Sequence, residues 1–158
     1  MANYIDTRDL NDRLNVLTDE LESLADALAE AAEAHEEQTE GLPDSLTMRE
    51  REAALEEATE ELEAAKQALD DFVADGRQEE LDELEALAAE VGSEWSYGEA
   101  MIPYDDFTDY VRELAEDRGF IQQDTPHWIV IDWEATAEAV MADYTQVDYN
   151  GETYLVRA

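Results

Sequence analysis

The apolar positions in the first quarter of the chain recur with the spacing of a coiled-coil helix. Six leucines between residues 10 and 28 alternate in steps of four and three. One seam position of the heptad is filled by Leu10, Leu17 and Leu24, and the other by Leu14, Leu21 and Leu28. The pattern weakens at Ala31 and His35 and stops near Gly41 and Pro43. This stretch therefore predicts one long amphipathic helix.

A second heptad series follows the turn-like stretch "GLPDS" at residues 41–45. Thr47 and Glu50 have the spacing of a capping box, which predicts the helix start. Its seam is formed by Met48, Leu55, Leu62 and Leu69 with Ala58, Ala65 and Phe72. "ADGRQ" at residues 74–78 interrupts the pattern. A shorter apolar face then predicts a third helix through Leu81, Leu84, Leu87 and Val91.

Two long helices joined by a short turn are expected to fold back as an antiparallel hairpin. An intermolecular coiled coil, which would make the protein a homodimer, is the competing arrangement. The composition changes near Gly92, where glycines and aromatic residues appear in a loop-like stretch. We therefore expect an acidic helical domain over residues 1–92 and a second domain over residues 93–158.

The second domain combines helical and strand signals. A helix is predicted from Tyr104 to Gly119, and "WIVI" at residues 128–131 reads as a short buried strand. Asp132 is placed to cap a helix that runs to about Ala142. The alternating residues around Asn150-Gly151 predict a β-hairpin, because this dipeptide accepts the positive φ angles of a type I′ turn. The expected fold class is mostly α, with a small α+β module that ends in a β-hairpin.

The charge of the chain is its most unusual property. It carries 44 Asp and Glu against 9 Lys and Arg, a formal net charge of −35. Such a surface repels nucleic acids and anionic lipids, so we expect neither nucleic acid nor membrane as a partner. The partner that fits is basic, such as the groove of a DNA-binding protein. The N-terminal "MANYIDTRDLND" shows no secretory signal and no apolar window reaches membrane-spanning length, so we expect a cytoplasmic protein.

Signatures of catalysis are missing from the sequence. His35 and His127 are the two histidines, there is no cysteine, and neither HExxH, GxSxG, a P-loop nor GxGxxG occurs. The stretch "YDDFTDY" has three acids but lacks the glycine and the final glutamate of a calcium-binding EF-hand loop. We therefore expect a protein that is not an enzyme and has no cofactor and no metal site.

The acids themselves are patterned. Position f of the first helix is acidic five times in succession, at Asp12, Asp19, Asp26, Glu33 and Glu40. Position b of the second helix carries Glu56, Glu63 and Asp70, and the C-terminal domain adds Asp105, Asp106, Asp109 and Glu113. Residues 6–40 and 49–75, which contain the two predicted long helices, together hold 22 acids and five basic residues, or 17 net negative charges. Over a rod of roughly 50 Å that is about one charge per 3 Å, against one per ~1.7 Å for duplex DNA. These residues are the predicted phosphate mimics.

Other interpretations of the acids remain open. Position f faces solvent in any coiled coil, so polar residues belong there without a binding role. Proteins adapted to high salt also combine many acids with few lysines, and this chain has Lys66 alone. An acidic scaffold that dimerises and an acidic chaperone for a basic, histone-like partner are therefore the alternative functions.

The C-terminal third resembles the tail of ArdA-type antirestriction proteins. The resemblance lies in "DDFTDYVRELAED" and "IDWEATAEAVMADYTQVDYNGETYLVR", within residues 104–157. The matching positions are Ile131, Asp132, Trp133, Glu134, Ala135, Ala137, Asp143, Tyr144, Val147, Gly151, Tyr154 and Arg157. In place of the usual front portion of that family, this chain has the heptad hairpin.

Proteins of that family are acidic DNA mimics carried by phages and mobile elements. The resemblance implies an inhibitor that occupies the DNA groove of a host defence enzyme. A restriction–modification enzyme is the expected target, followed by a CRISPR effector. The protein would then act in the host cytoplasm.

Overall fold

The computed structural model describes residues 4–40 and 47–157. The helices in this part of the chain are α1 (Thr7–Glu40), α2 (Met48–Ala74), α3 (Arg77–Val91), α4 (Phe107–Asp117) and α5 (Trp133–Met141). The strands are β1 (Ile5–Asp6), β2 (Ala100–Pro103), β3 (Thr145–Tyr149) and β4 (Glu152–Val156). Helices make up 69% of the described residues, which confirms the mostly-α class with a small β module. The turn predicted at residues 41–45 lies outside the described residues.

Contacts divide the chain into two compact units, with boundaries that differ from the predicted ones. One unit contains residues 14–82. The other combines the residues up to Arg13 with those from Glu83 onward. The predicted boundary assigns the N-terminal residues to the helical hairpin, because the heptad pattern indicates where a helix forms. It does not indicate which unit the first residues of that helix contact. The pairing of the two-residue strand β1 with a distant strand leaves no heptad signal.

Residues 14–82 form the antiparallel helical hairpin. The most buried seam residues of α1 are Leu17 and Ala31, and those of α2 are Ala58 and Phe72. Each pair is 14 residues apart, as expected for two seams that meet in register. The residues at the end of α1 and the start of α2 line one cavity of about 470 Å³. At the opposite end, Arg77 forms an ion pair with Glu20 of α1.

The start of α2 is built as the sequence predicts. The Thr47 side chain accepts a hydrogen bond from the Glu50 backbone N–H at 3.3 Å, and the Glu50 carboxylate accepts one from the Thr47 N–H at 2.8 Å. This reciprocal capping box satisfies N–H groups that the first helical turn leaves without partners. Both donors of Thr47, its N–H and its hydroxyl, hold the pKa of Glu50 below its ordinary value.

The second unit contains a four-stranded antiparallel sheet in the order β1-β2-β4-β3. Asn150 (φ 53°) and Gly151 (φ 79°) turn the β3–β4 hairpin with the positive φ angles predicted for them. The Asn150 N–H donates to the Glu83 carboxylate at 3.0 Å, which fixes the hairpin tip to α3. The predicted hairpin is therefore confirmed.

The core of this unit lies between the sheet and two helices. Buried residues from β2, α4, α5 and β4 meet there, namely Ile102, Phe107, Val111, Ala137 and Leu155. The N-terminal segment is fastened to the same unit by Thr7, whose N–H donates to the Glu99 carbonyl and whose hydroxyl accepts from the Glu99 N–H, both at 2.9 Å. The indole N–H of Trp95 donates to Asn11 at 2.9 Å. These bonds explain why the first residues belong to the C-terminal module.

The prediction of a buried strand at "WIVI" is wrong. Residues 128–131 form no strand, and Trp128 and Val130 are 72% and 89% exposed. Besides the hairpin strands β3 and β4, the sheet takes in β2, which lies in the stretch between Gly92 and Pro103 that the sequence predicts to be a loop. A short apolar run specifies neither its partner strand nor its burial, because both depend on distant pairing. The adjacent N-cap is confirmed, since Asp132 accepts from the Ala135 N–H at 3.1 Å.

The first test of the fold compares neighbouring positions on α1. Leu17 is fully buried in the seam, whereas Val16 is 54% exposed. Leu17→Ala is expected to lower the free energy of unfolding by about 2–5 kcal/mol, because it leaves a cavity. Val16→Ala is the control and should change it by less than ~0.5 kcal/mol. Urea unfolding followed by circular dichroism measures both. Equal effects of the two substitutions would contradict the assigned seam.

A second test uses Tyr144, which packs with Tyr110 against the core of the C-terminal unit. Burial, followed by the 3.3 Å hydrogen bond to the Tyr110 hydroxyl, raises the pKa of Tyr144 above its ordinary value. The stabilisation that this shift represents is complete below about pH 10 and is lost as the pH rises above it, because the unfolded phenol ionises first. Wild type should therefore lose stability between pH 9 and 11 more steeply than Tyr144→Phe. Urea unfolding midpoints measure the loss of stability at each pH. If the midpoints of wild type and Tyr144→Phe fall in parallel as the pH rises, Tyr144 is not buried and hydrogen-bonded as described.

Candidate acidic docking surface

The carboxylates of α1 are concentrated on one face. Ten of its eleven acids occupy heptad positions b, f and c, which span an arc of about 100° opposite the seam. They are Asp9, Asp12, Asp19, Glu22, Asp26, Glu30, Glu33, Glu36, Glu37 and Glu40, and every one is exposed. Positions e and g, which flank the seam, carry mainly alanine, threonine and asparagine. The acids therefore form a strip along the helix.

The eleventh acid of α1 has a different environment. Glu20 lies at position g beside the seam and is only partly exposed. It forms an ion pair with Arg77, whose guanidinium also approaches Asp75 at 3.6 Å and lies 6.0 Å from the centre of the Phe72 ring. Glu20 thus contributes to packing at this end of the hairpin.

Helix α2 repeats the arrangement. Seven of its nine acids fall at positions b, f and c, and all seven are exposed: Glu50, Glu56, Glu57, Glu60, Glu63, Asp70 and Asp71. Because the buried apolar residues of both helices lie at seam positions, each acidic arc points away from the shared seam. We refer to the arcs of α1 and α2 together as the acidic strips.

The predicted site residues on the hairpin all lie on the acidic strips. Asp12, Asp19, Asp26, Glu33 and Glu40 are exposed on α1, and Glu56, Glu63 and Asp70 are exposed on α2. The residues predicted on α1 are those at position f alone. The strip also contains acids at positions b and c that were not predicted, such as Glu22, Glu30 and Glu37. The same heptad numbering would have found them, because b and c adjoin f on the helical wheel.

The predicted acids of the C-terminal unit are less uniform. Asp105 is exposed, but Asp106 is partly buried in the 3₁₀ turn before α4. Asp109 forms an ion pair with Arg112 at 2.9 Å, and Glu113 accepts a hydrogen bond from the Tyr4 hydroxyl at 3.5 Å. Two of these four carboxylates therefore already have partners within the unit. Glu116 and Asp117 at the end of α4 are exposed.

One cleft of the C-terminal unit is open and polar. It has a volume of about 670 Å³ and is lined by acids, Glu94, Glu99 and Asp143, together with Arg157. Within residues 4–40 and 47–157, no three histidine or acidic side chains converge as a metal site would require. Across the same ranges, no helix is both long and apolar enough to cross a bilayer.

Comparison of the chain with family models, curated proteins and solved structures finds no match. The resemblance of the C-terminal third to antirestriction proteins therefore stays an expectation from the quoted residues.

The acidic strips imply a stability that depends on salt. Exposed carboxylates on one face repel each other over the ~10 Å range that 0.1 M salt leaves unscreened. The melting temperature should rise by at least about 3 °C between 0.1 and 1 M sodium chloride, which is ~1 kcal/mol in a protein of this size. The rise should be smaller in a variant with Asp12→Asn, Asp19→Asn, Asp26→Asn and Glu33→Gln. A melting temperature that is flat or falls with salt would contradict this account.

Proposed function

We propose that this protein is a non-catalytic acidic mimic of DNA. It inhibits a nucleic-acid-binding defence enzyme of its host, a restriction–modification enzyme or a CRISPR effector, by occupying the basic DNA groove. The observation that carries the proposal is the alignment of exposed carboxylates along the two long helices, where ten of the eleven acids of α1 and seven of the nine acids of α2 lie on the acidic strips.

The spacing of the carboxylates supports the comparison with DNA. Eight strip acids lie between Asp19 and Glu40, a distance of roughly 32 Å along the helix axis. That is about one carboxylate per 4–5 Å, against 3.4 Å per phosphate along one strand of duplex DNA. One helix face therefore presents a linear charge density within a factor of two of a single DNA strand. A groove lined with lysine and arginine would attract both.

The mechanism that follows is competition without chemistry. The basic groove binds the carboxylates with the same side chains that it uses for phosphates. Helical backbone keeps the carboxylates in rows before binding, so little additional ordering is needed when the groove closes on them. Affinity is expected to fall steeply with added salt, because screening weakens every one of these contacts.

The C-terminal unit supports the choice of target. Its resemblance to antirestriction tails favours a restriction–modification enzyme as the first target to test. An inhibitor of this kind acts in the host cytoplasm, where the defence enzyme meets incoming DNA. The acidic hairpin then provides the charged surface, and the C-terminal module is the part that resembles antirestriction tails.

The proposal is tested by adding the purified protein to two DNA-cleavage reactions. One contains a multisubunit restriction–modification enzyme and the other a Cas9–guide complex. The strip variant neutralises Asp12, Asp19, Asp26 and Glu33 by amide substitution. It should raise the half-inhibitory concentration about tenfold or more, since exposed charge pairs contribute ~0.2–1 kcal/mol each.

The matched control removes the same number of charges from exposed positions of α3. It carries Glu79→Gln, Asp82→Asn, Glu85→Gln and Glu90→Gln, and it should inhibit as well as wild type. Equal losses in the two variants would show that net charge, not the strips, is responsible. If wild type inhibits neither enzyme but self-associates or binds a small basic protein, the scaffold or chaperone function replaces this proposal.

A further inference from the structure

The hairpin formed by α1 and α2 buries its two seam positions unequally. Between residues 14 and 31 of α1 and residues 55 and 72 of α2, four of the six side chains at heptad position d are buried: Leu17, Ala31, Ala58 and Phe72. The six leucines at position a are all only partly buried: Leu14, Leu21, Leu28, Leu55, Leu62 and Leu69. The hairpin therefore covers its leucines at position a incompletely.

Position e lies next to position a on each helix. Because the two helices run antiparallel, their e positions lie on the same side of the seam. We call these residues the e face, and they are Thr18, Ala25, Ala32 and Thr39 on α1 and Glu52, Thr59, Lys66 and Val73 on α2. Six of the eight are exposed, and Thr18 and Thr59 are partly exposed, so this side of the hairpin faces solvent.

The polar atoms of the e face have little need of water. The hydroxyls of Thr18, Thr39 and Thr59 each donate to a carbonyl of their own helix, at 2.8, 2.8 and 2.7 Å. These hydroxyls therefore keep their hydrogen bonds when another surface covers them. Ala25 and Ala32 allow a second helix to approach closely, since the distance between packed helices depends on the side chains at the contact.

Charge distinguishes the e face from the acidic strips. Its charged side chains are Glu52 and Lys66, which cancel, and Lys66 is the only lysine of the chain. Both are exposed, and across residues 4–40 and 47–157 neither forms an ion pair. In a chain with a net charge of −35, this neutral side is where a second copy meets the least repulsion.

The order of the charges on α2 is self-complementary. Glu52 and Lys66 lie seven residues before and after Thr59, which is about 10 Å in each direction. When two copies of α2 pack antiparallel with Thr59 at the centre, Lys66 of each copy lies opposite Glu52 of the other. A twofold axis brings the same patch of both copies together, so this pairing of opposite charges occurs twice.

The e face of α1 has the same symmetry. Thr18 and Thr39 are evenly spaced about a point between residues 28 and 29, and so are Ala25 and Ala32. An antiparallel contact centred on that point places each threonine opposite a threonine and each alanine opposite an alanine. No charged side chain of the α1 row opposes another in this arrangement.

The two centres of symmetry lie at one level of the hairpin. Helix α1 ends at Glu40 and α2 begins at Met48, and these two ends line the same cavity. The centre of the α1 row is roughly 17 Å from Glu40, and Thr59 is roughly 17 Å from Met48. A single twofold axis can therefore pass through the centres of both rows.

The e face is also large enough for a stable contact. Helix α2 has 27 residues and is about 40 Å long, and two packed helices are roughly 20 Å wide. This side of the hairpin thus measures ~800 Å², the area that each partner contributes to an interface of standard size. Packing two such sides together would also cover the partly buried leucines at position a.

We propose that the e face is a homodimer interface, in which two hairpins pack about a twofold axis at Thr59 and form an antiparallel four-helix bundle. Lys66 of each copy pairs with Glu52 of the other copy. The acidic strips remain on the outside of the bundle, because they point away from the seam. This inference goes beyond the proposed function and does not depend on it.

The acidic strips give this dimer a characteristic salt dependence. Strip acids at position b of α2, Glu56, Glu63 and Asp70, border the e face, so two packed copies bring these carboxylates toward each other. Salt screens this repulsion, so the dimer should become tighter as sodium chloride is added. Binding of the strips to a basic groove should instead become weaker. Dimerisation and inhibition are therefore distinguishable by the sign of their response to salt.

Sedimentation equilibrium of the full chain between about 0.1 and 1 M sodium chloride measures the dissociation constant of the dimer. At about 0.3 M, where contacting charges are still incompletely screened, Lys66→Glu and Glu52→Lys should each weaken dimerisation at least about fivefold. The reason is that both symmetry-related pairs change from attraction to repulsion. The double variant Glu52→Lys/Lys66→Glu restores opposite charges and the net charge of wild type, and it should dimerise like wild type.

Glu52→Lys also separates pairing from net charge. This substitution lowers the net negative charge of each copy, so an association limited by overall repulsion would become tighter. The proposed contact requires the opposite result, because the new lysine faces Lys66 of the other copy. Circular dichroism of each variant confirms that the helices are kept, as expected for exposed positions.

Cross-linking tests the position of the twofold axis. The chain has no cysteine, so Thr59→Cys introduces a single thiol at the centre of the proposed contact. A short bis-maleimide should join two copies of this variant into a covalent dimer. Ala53→Cys is the matched control, because Ala53 is exposed on the same helix at position f, on the outer side of the bundle, and should react without joining two copies.

The outcomes separate this inference from the proposed function. A wild type that is monomeric at every salt concentration overturns the dimer. A dimer that the double variant fails to restore, or that Ala53→Cys cross-links as readily as Thr59→Cys, uses another surface and also overturns it. If wild type dimerises through the e face but inhibits neither DNA-cleaving enzyme, the interface stands and the proposed function fails. If Lys66→Glu loses dimerisation and still inhibits, both stand.

Discussion

The apolar seam of the hairpin has to hold together helices whose outer faces repel each other. Leu17 and Ala31 on α1 and Ala58 and Phe72 on α2 are its most buried residues. Several of these side chains are small, so the seam is narrow and the free energy it provides is modest. The carboxylates can be crowded together only on the arcs that point away from it. The same constraint that keeps the hairpin folded therefore produces the acidic strips.

The proposed function depends on the order of that arrangement. Carboxylates on an unstructured chain would need to be ordered by a partner, at a cost in conformational entropy. Carboxylates at fixed heptad positions are ordered by the helix, and their spacing lies within a factor of two of phosphates along a DNA strand.

Much of the candidate surface could be predicted from the sequence because it depends on one helix at a time. The f-position acids on α1 and the b-position acids on α2 are all exposed, as the heptad numbering requires. Prediction was weaker for α4, where the Arg112 and Tyr4 side chains engage Asp109 and Glu113. The Tyr4 contact joins residues more than a hundred positions apart in sequence. Exposure of Trp128, Ile129 and Val130 was missed because the apolar run at residues 128–131 indicated a buried strand.

By itself, the sequence determined the features that arise from interactions within a few residues. These include the heptad helices, the Thr47 capping box, the Asp132 N-cap, the left-handed Gly119 and the Asn150-Gly151 turn. The tertiary structure alone decided which segments pair across the chain. It placed β1 beside β2, joined the first 13 residues to the C-terminal unit and left residues 128–131 outside the sheet. The physical reason is that strand pairing and burial are set by contacts between distant residues, and local patterns of polarity do not encode them.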